Sequence, residues 1–334
     1  MKFYINSSFW KTIHFKLGTG ILIFLIPFIL LLAYNNFYTI ALIRSQVAAS
    51  NKNAVSLYLK QIDINLENVD KYLSDMMWNT DLAIINTNVN SNEYSLAVAR
   101  LGNKLTNDIV LYNSIESFFI YSALKSEYIY VSNGNLSYEE QEKVNLYIKD
   151  TVTKSRTSNG LLTAKWSIWN INGNYYLYHI LRVGNNYAGA WVRAENLLVP
   201  LEESKFNNNT LSLFMTDQHE PMNNSQLING NKIDLSQNFE QYYLTGTERK
   251  FIVVGVRSEK GNFSMVAITR DDSILSTFPY IRQIVVFIAI ATIILMPVYF
   301  LILSKVVIKP IKRILFVMKR IRHGNMDTRI DLAP

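Results

Sequence analysis

The chain has 334 residues and no cysteine, and its 33 Lys and Arg outnumber its 26 Asp and Glu to give a formal net charge of +7. The lack of cysteine excludes disulfide staples and thiolate chemistry. The positive charge lies at the two ends, +3 on residues 1–16 and +6 on residues 305–334, which leaves −2 on everything between. Because the charge is not spread over a folded surface, nucleic-acid binding is excluded as its explanation, and we expect no nucleic-acid partner.

The first predicted element is a membrane span at residues 17–34, which are uncharged and are followed by no charge until Arg44. Eighteen uncharged residues are close to the length that an α-helix needs to cross the hydrocarbon core. A cleaved signal peptide is the alternative, but the apolar core is long for one and no Ala-x-Ala-like cleavage site follows it. We therefore expect an uncleaved membrane anchor, preceded by a cytoplasmic tail at residues 1–16.

A long stalk helix is predicted next, over residues 35–80. Its apolar residues recur at alternating steps of four and three, a 3.5-residue period that is sustained over three heptads, at Val55, Leu59, Ile62, Leu66, Val69, Leu73 and Met76. Such a period buries one narrow stripe of the helix. The stripe faces either the same stripe of a second chain, as in a coiled-coil dimer, or the globular part of its own chain.

A first α+β module is predicted at residues 81–206, because after about residue 110 the apolar period changes to two and Asn/Gly turns separate short runs. A capping box, Ser137-Tyr-Glu-Glu140, starts a helix that continues to about Val152. Turns are expected at Asn172-Gly173 and Gly184-Asn185. The predicted strands are 115–121 and 127–131, which form a hairpin, then 163–169, 174–183 and 187–193, and a short helix follows at 194–203.

A second, smaller module is predicted at residues 207–270. Polar segments separate its strand-like runs, and a Lys260-Gly261-Asn262 turn joins the last two. Asp271 and Asp272 then cap a helix that leads into a second apolar segment. The predicted strands are 211–215, 242–244, 251–256 and 263–268.

The candidate binding residues follow from strand alternation in the first module. On two adjacent antiparallel strands, one face carries aromatic and Arg side chains, and the other carries small apolar ones that we expect to pack on the stalk helix. Trp and Tyr stack on sugar rings or cover apolar ligands, and Arg fixes a hydroxyl or carboxylate. The alternative is that these aromatics fill the layer beneath the helix at 137–152. The candidate ligand-binding residues are Tyr176, Tyr178, Arg182, Tyr187, Trp191 and Arg193, with Trp166, Trp169 and Tyr121 from neighbouring strands.

A second membrane span is predicted at residues 283–304, which are twenty-two residues without a charge. Lys and Arg near the ends of a span stay in the cytoplasm, so the basic flanks at 1–16 and 305–334 place both termini inside. Residues 35–280 then form one extracytoplasmic segment, long enough for one or two packed cores. An exported segment of this size without cysteine fits a bacterial cell membrane better than a eukaryotic surface.

The tail at residues 305–334 is patterned as a helix. Lys309-Pro310-Ile311 begins it, apolar residues recur at steps of three and four, and Gly324-Asn325 ends it. A juxtamembrane amphipathic helix bound to anionic lipid is the alternative. The residues that would transmit a signal here are Pro310, Ile311, Ile314, Met318, Ile321 and Gly324.

Together these patterns resemble known families of bacterial receptors. Two antiparallel α+β modules on one long helix, tethered at both ends, resemble the double Cache ectodomain, in which two PAS-like sheets lie along a membrane-anchored stalk helix. The tail IKPIKRILFVMKRIRHGNMDTRI resembles the first helix and connector of a HAMP domain. The Asp-Glu-x-Gly that normally announces the second HAMP helix is not reached by Pro334. The whole is most similar to sensor histidine kinases of the YesM type.

The resemblance implies a receptor in a bacterial cell membrane, with the fold class α+β, both termini in the cytoplasm and a homodimeric assembly. Its ligand would be a small extracellular molecule, such as a saccharide, sensed directly or through a solute-binding protein. The signal would pass through HAMP to a histidine kinase module beyond Pro334, and only through that module to a response regulator. A chemotaxis receptor would share every feature up to Pro334. A non-signalling surface protein with two anchors would have no need of a heptad helix after its second span.

No catalytic chemistry is expected of the chain. It carries no Gly-rich phosphate loop, no metal-ligand cluster and no nucleophile with a base at motif spacing. Its four His residues are scattered, at His14, His179, His219 and His323. We therefore expect no catalytic residue, metal site or cofactor, and a function that consists of binding outside and movement inside.

Overall fold

The computed structural model describes residues 13–87, 91–134, 136–154, 165–199, 210–239, 241–277, 279–303, 305–306 and 309–322. Two compact units divide the chain: Arg44–Ile274 forms one, and Met1–Ile43 with Leu275–Pro334 forms the other. Among the helices within the described ranges, none combines the length and the apolar character that a membrane crossing requires.

The first module is a five-stranded antiparallel sheet with helices on both faces. Its strands lie in the order β2-β1-β5-β4-β3, and every neighbouring pair is antiparallel. The predicted hairpin, the capped helix and the strands at 174–183 and 187–193 are confirmed to within two residues. The elements are α1 (Ile13–Met77), α2 (Thr80–Ile85), α3 (Ser91–Ile109), β1 (Ser117–Ser122), β2 (Glu127–Ser132), α4 (Tyr138–Lys154), β3 (Ser167–Ile171), β4 (Asn174–Val183) and β5 (Asn186–Arg193).

Two details of the first module differ from the prediction. Strand β3 begins at Ser167 rather than at 163, and residues 155–164 before it lie outside the described ranges. The short helix expected at 194–203 is a 3-10 turn, Ala194–Leu197, and the predicted part from residue 200 onward is also outside them. Helices α2 and α3 were not predicted. Helix α3 packs on the sheet beside α1, where Gly102 approaches Ile129 of β2.

The second module is a four-stranded antiparallel sheet in the order β6-β9-β8-β7. One of its faces is covered by the segment from α5 to Phe239, through Ile228, Ile233 and Leu235. The predicted strands are confirmed to within two residues. The elements are β6 (Thr210–Thr216), α5 (Ser225–Gly230), β7 (Tyr243–Thr245), β8 (Phe251–Arg257), β9 (Phe263–Arg270) and α6 (Asp271–Thr277).

Helix α1 packs on the other face of both sheets. The seven residues of its 3.5-period stripe, Val55 to Met76, are at most 4% exposed within this single chain. The ring of Tyr72 lies 4.8 Å from that of Phe118 on β1, and Asn51 Nδ2 donates to Thr269 Oγ1 on β9 at 2.8 Å. Arg44 binds Asp271, the first residue of α6, through two hydrogen bonds of 2.7 and 2.6 Å. The stripe therefore serves the chain's own globular part, and it is not the seam of a dimer.

The other unit contains two described helices after α6, namely α7 (Pro279–Leu303) and α8 (Lys309–Arg322). The helix predicted to begin at Lys309 is present and includes Pro310, Ile311, Ile314, Met318 and Ile321. Gly324 and the connector that would follow it lie outside the described residues.

Candidate functional site

The layer between the first sheet and α4 is rich in aromatic side chains. Strand register confirms that the predicted side chains share a face, because Tyr178 pairs with Trp191, Tyr176 with Arg193 and Arg182 with Tyr187. Helix α4 lies over this face and contributes Val144, Ile148 and Val152 to the same cluster. The cluster contains six of the predicted binding residues, Tyr121, Trp169, Tyr176, Tyr178, Tyr187 and Trp191.

These aromatic side chains are packed rather than open to solvent. Trp191 is completely buried, and Tyr187 and Tyr121 are each 2% exposed. Trp169 and Tyr178 stack across strands with ring centroids 3.5 Å apart. The arrangement fits the alternative in which the aromatics fill the layer under the helix.

Three buried polar atoms in this layer have no hydrogen-bond partner among the described residues: Tyr187 Oη, Trp191 Nε1 and Asn145 Nδ2. All three groups are donors. Asn145 lies on α4, and its Oδ1 accepts a hydrogen bond from Tyr128 Oη at 3.2 Å. A buried donor without an acceptor costs free energy, so such groups are normally satisfied by protein, water or ligand. The layer under α4 therefore presents donors for which the described residues supply no acceptor.

Hydrogen bonds and an ion pair hold the N-terminal end of α4 to the sheet. Glu140 accepts hydrogen bonds from Tyr176 Oη at 2.5 Å and from Arg193 Nη1 at 3.5 Å. Arg193 also pairs with Glu195 at 2.8 Å. Burial and then the bond to Glu140 raise the pKa of Tyr176. Predicted site residue Arg193 thus binds protein carboxylates at the rim of the aromatic layer, and a groove of about 260 Å³ opens beside Glu140 and Tyr176.

At the opposite end of the layer, the guanidinium of Arg182 lies over the ring of Tyr187, 5.4 Å from its centroid. Its Nε donates to the carbonyl oxygen of Gly184 at 3.0 Å. A cation over an aromatic face is attracted by the ring quadrupole. Arg182 is therefore positioned beside one of the unpartnered donors, as the shared face predicted.

Trp166 is the one predicted site residue that lies elsewhere. It precedes β3 and points to the α1 face, where its Nε1 donates to Asp70 Oδ1 at 2.8 Å. The grouping of Trp166 with Trp169 was wrong, because side chains three residues apart on an extended chain point to opposite faces. The candidate site thus retains eight of the nine predicted residues.

Sequence reasoning missed two polar residues of α4, Glu140 and Asn145. Glu140 was identified only as part of a capping box. Asn145 lies one residue after Val144 and three before Ile148, both of which face the sheet, so the helical period was a signal that could have placed it near them. In the described part of the chain, no three His, Asp or Glu residues group so as to hold a metal ion.

No protein-family model matches the chain, and no curated protein does. Similar solved structures are sensory domains. The ligand-binding domain of the Pseudomonas fluorescens chemoreceptor CtaA with L-isoleucine is 11% identical, with a TM-score of 0.46, over 72% of this chain and 99% of that one. The ligand-binding domain of the Pseudomonas aeruginosa PAO1 amino-acid chemoreceptor PctC with GABA is 10% identical, with a TM-score of 0.43, over 67% and 99%. The extracellular domain of the putative histidine kinase vpHK1S-Z8 is 10% identical, with a TM-score of 0.41, over 73% and 96%.

Proposed function

We propose that the chain is the sensory part of a membrane receptor and that it binds a small molecule under α4 in the first module. The observation that carries the proposal is that two buried donors, Tyr187 Oη and Trp191 Nε1, have no hydrogen-bond partner in the part of the chain that the structure describes. Hydroxyl, carbonyl or carboxylate oxygens of a ligand would accept from one or the other donor, while the surrounding aromatic rings would cover its apolar part. Arg182 would strengthen binding to an anionic group.

The membrane arrangement in this proposal rests on the sequence. The apolar segments 17–34 and 283–304 would anchor the chain, with residues 35–280 outside a bacterial cell and both termini inside. The helix at Lys309–Arg322 would pass the signal on, as the first helix of a HAMP domain, to a histidine kinase module. The ligand would arrive free or with a solute-binding protein, and the receptor class proposed is the YesM type.

A thermal-shift screen of the full chain in detergent tests the binding site. Sugars, amino acids and organic acids would be compared on the parent chain and on two variants that each remove one donor and keep a ring, Tyr187→Phe and Trp191→Phe. We expect at least one compound to raise the Tm of the parent and to lose most of its effect in both variants. Tyr130→Phe, at a 41% exposed position on β2, is the matched control and should keep the full shift. A compound whose shift survives both variants would bind elsewhere and contradict the proposed site.

We also propose that the chain works as a homodimer, through the outer face of α1. Leu57 and Ile64 lie there, 72% and 44% exposed. Exposed amide residues continue the stripe, since Gln61 follows Leu57 by four positions and Asn68 follows Ile64 by four. This second stripe has the same 3.5-residue period as the buried one. Two parallel copies would bring Leu57 and Ile64 against their own counterparts, and amide side chains within such a seam favour one register.

A further inference from the structure

The two modules and α1 meet at one junction, formed by the turn between β8 and β9 (residues 258–262), by Trp166 and by α1. The main chain of Trp166 forms a two-bond bridge with the turn: its N–H donates to Lys260 O at 2.8 Å, and its carbonyl accepts from Asn262 N at 2.9 Å. Trp166 leads directly into edge strand β3. The second module is therefore hydrogen-bonded to the sheet that carries the candidate site.

The turn is also fixed to α1. Asp63 Oδ1 accepts from Ser258 Oγ at 2.5 Å, and Asp63 Oδ2 accepts from Glu259 N at 3.0 Å. Lys260 pairs with Glu67 at 3.1 Å. Gly261 is required at its position, because a Cβ there would lie 2.1 Å from the ring of Phe263. Asp63 and Ser258 are 8% and 3% exposed, so these bonds are sheltered from water and are stronger for it.

Asp70 of α1 joins the junction to the interior of the first sheet. Its Oδ1 accepts from Trp166 Nε1 at 2.8 Å and lies 2.5 Å from His179 Nδ1. His179 is 4% exposed and occupies β4 between Tyr178 and Ile180, whose side chains face α4. The carboxylate of Asp70 thus contacts both β4, which forms part of the candidate site, and Trp166, which is hydrogen-bonded to the second module.

We propose that Asp70 is a positioning residue that couples the first module to the second, so that the two modules unfold and shift as one body. A displacement of β4 under α4 moves His179. Because His179 and Trp166 share Asp70, the displacement also shifts the position of Trp166 and of the turn that is hydrogen-bonded to it. This coupling would serve a purpose only if the proposed sensory function is right, so the inference rests on that function. The test of the coupling requires no ligand, so the coupling and the proposed function can be refuted independently of each other.

The test compares the unfolding of the two modules in the full chain in detergent. Because the chain has no cysteine, one fluorescent label can be placed at Asn107→Cys on α3 and, in a second preparation, at Gln226→Cys on α5. Both positions are exposed. In the parent chain, the two labels should report the same urea midpoint, as one cooperative unit requires.

Trp166→Phe removes the indole donor and keeps an aromatic ring, and Asp70→Asn removes the charge at nearly constant volume. We expect each to separate the two midpoints by about 0.5 M urea or more, as the loss of a buried bond to a carboxylate should. Tyr72→Phe is the matched control. It deletes a hydroxyl that donates to Asp108 at 3.0 Å, between α1 and α3, without touching the junction.

A purely structural role for Asp70 within the first module would lower both midpoints together, as in the control. Coincident midpoints in both junction variants would overturn the proposal, and so would separate midpoints in the parent chain. If Trp166→Phe does not fold, Asp70→Asn and the surface variant Lys260→Ala, which removes the Glu67 pair, decide the question in the same way. Ligand binding by a chain whose midpoints never separate would leave the proposed function standing and the coupling refuted.

Discussion

Tyr176 and Tyr187 lie under the same helix on neighbouring strands, but their hydroxyl groups are in opposite situations. Tyr176 Oη donates to Glu140, whereas Tyr187 Oη is buried with no partner among the described residues. Removing a bonded hydroxyl leaves its acceptor unsatisfied, while removing an unpartnered one relieves a desolvation cost. The two residues thus distinguish a group that serves folding from one that is available for binding.

We predict that Tyr176→Phe lowers the free energy of unfolding by about 1–3 kcal/mol, and that Tyr187→Phe leaves it unchanged or raises it by up to about 1 kcal/mol. Urea denaturation of the ligand-free chain measures both. A loss at Tyr187 equal to that at Tyr176 would show that its hydroxyl has an acceptor in the folded protein, and would remove the main support for the binding site.

Glu67 gives a prediction of pH dependence at the junction. Hydrogen bonds from Lys71 and then from Lys260 lower its pKa. A carboxyl whose pKa is lower in the folded than in the unfolded chain adds stability above the unfolded value, near 4.3, and loses it as the pH falls through the folded value. We expect the parent chain to exceed Glu67→Gln in urea midpoint at pH 7 and to lose that advantage as the pH falls below the unfolded value and through the lower pKa of the folded chain. A difference that stays constant with pH would contradict this, and Glu142→Gln, at an exposed position on α4, is the control.

Strand alternation was sufficient to place most site residues on one face, because β4 and β5 are regular and every second residue faces α4. It failed for Trp166, which lies outside β3 and is held by the turn of the other module. The hydrogen-bond state of each donor was beyond the sequence, since it depends on residues far apart in the chain. Asp70 and His179, which are 109 positions apart, are an example.

At the scale of an element, β5 depends on a glycine. Gly189 lies between β1 and β4, and the ring of Phe119 covers it so closely that a Cβ would lie 2.3 Å from the ring. Phe119 is completely buried in the layer under α4. Gly189 shares the α4 face of β5 with Tyr187 and Trp191, and its missing side chain leaves room there for the ring of Phe119.

We predict that Gly189→Ala destabilises the chain by about 1–3 kcal/mol, because a packed core has no room for the added methyl group. Phe119→Leu in the same chain should recover part of the loss, since a smaller side chain makes that room. Urea midpoints of the two single variants and the double variant form the cycle. Simple additivity of the two losses would show that the Gly189–Phe119 contact is not the cause.

The elements that sequence patterns located well are those with a strong local signal, such as β4 between its two turns and α4 after its capping box. Helix α3 was missed although its buried residues Ala97, Leu101, Leu105 and Ile109 recur every four positions. The small Ala97 and the polar residues between weakened that pattern. For α1, the period was recognised, but a 3.5-residue stripe fits a partner helix and a sheet equally well. Only the tertiary structure selects between them.

At the scale of the whole molecule, the dimer proposal predicts which face of α1 meets its counterpart. Single-cysteine variants Leu57→Cys and Ile64→Cys should form disulfide-linked dimers on mild oxidation of the full chain, which has no other cysteine. Ser56→Cys is the matched control, because it is exposed on the same helix about 100° away. Non-reducing gel electrophoresis measures the result. Equal cross-linking at all three positions, or at Ser56 alone, would contradict the proposed face.

The bonds that α1 makes at Arg44 and at Asp70 fix the length of the helix between these two residues. Arg44, which binds Asp271, and Asp70, which binds Trp166 and His179, are separated by about 39 Å along the axis. One inserted residue would turn one end by about 100° relative to the other, and seven would restore the facing but add about 10.5 Å. Neither change would keep the bond of Arg44 to Asp271 and the bonds of Asp70 at the same time. Related sequences that keep this architecture should therefore vary freely in their loops and carry no insertion or deletion between Arg44 and Asp70.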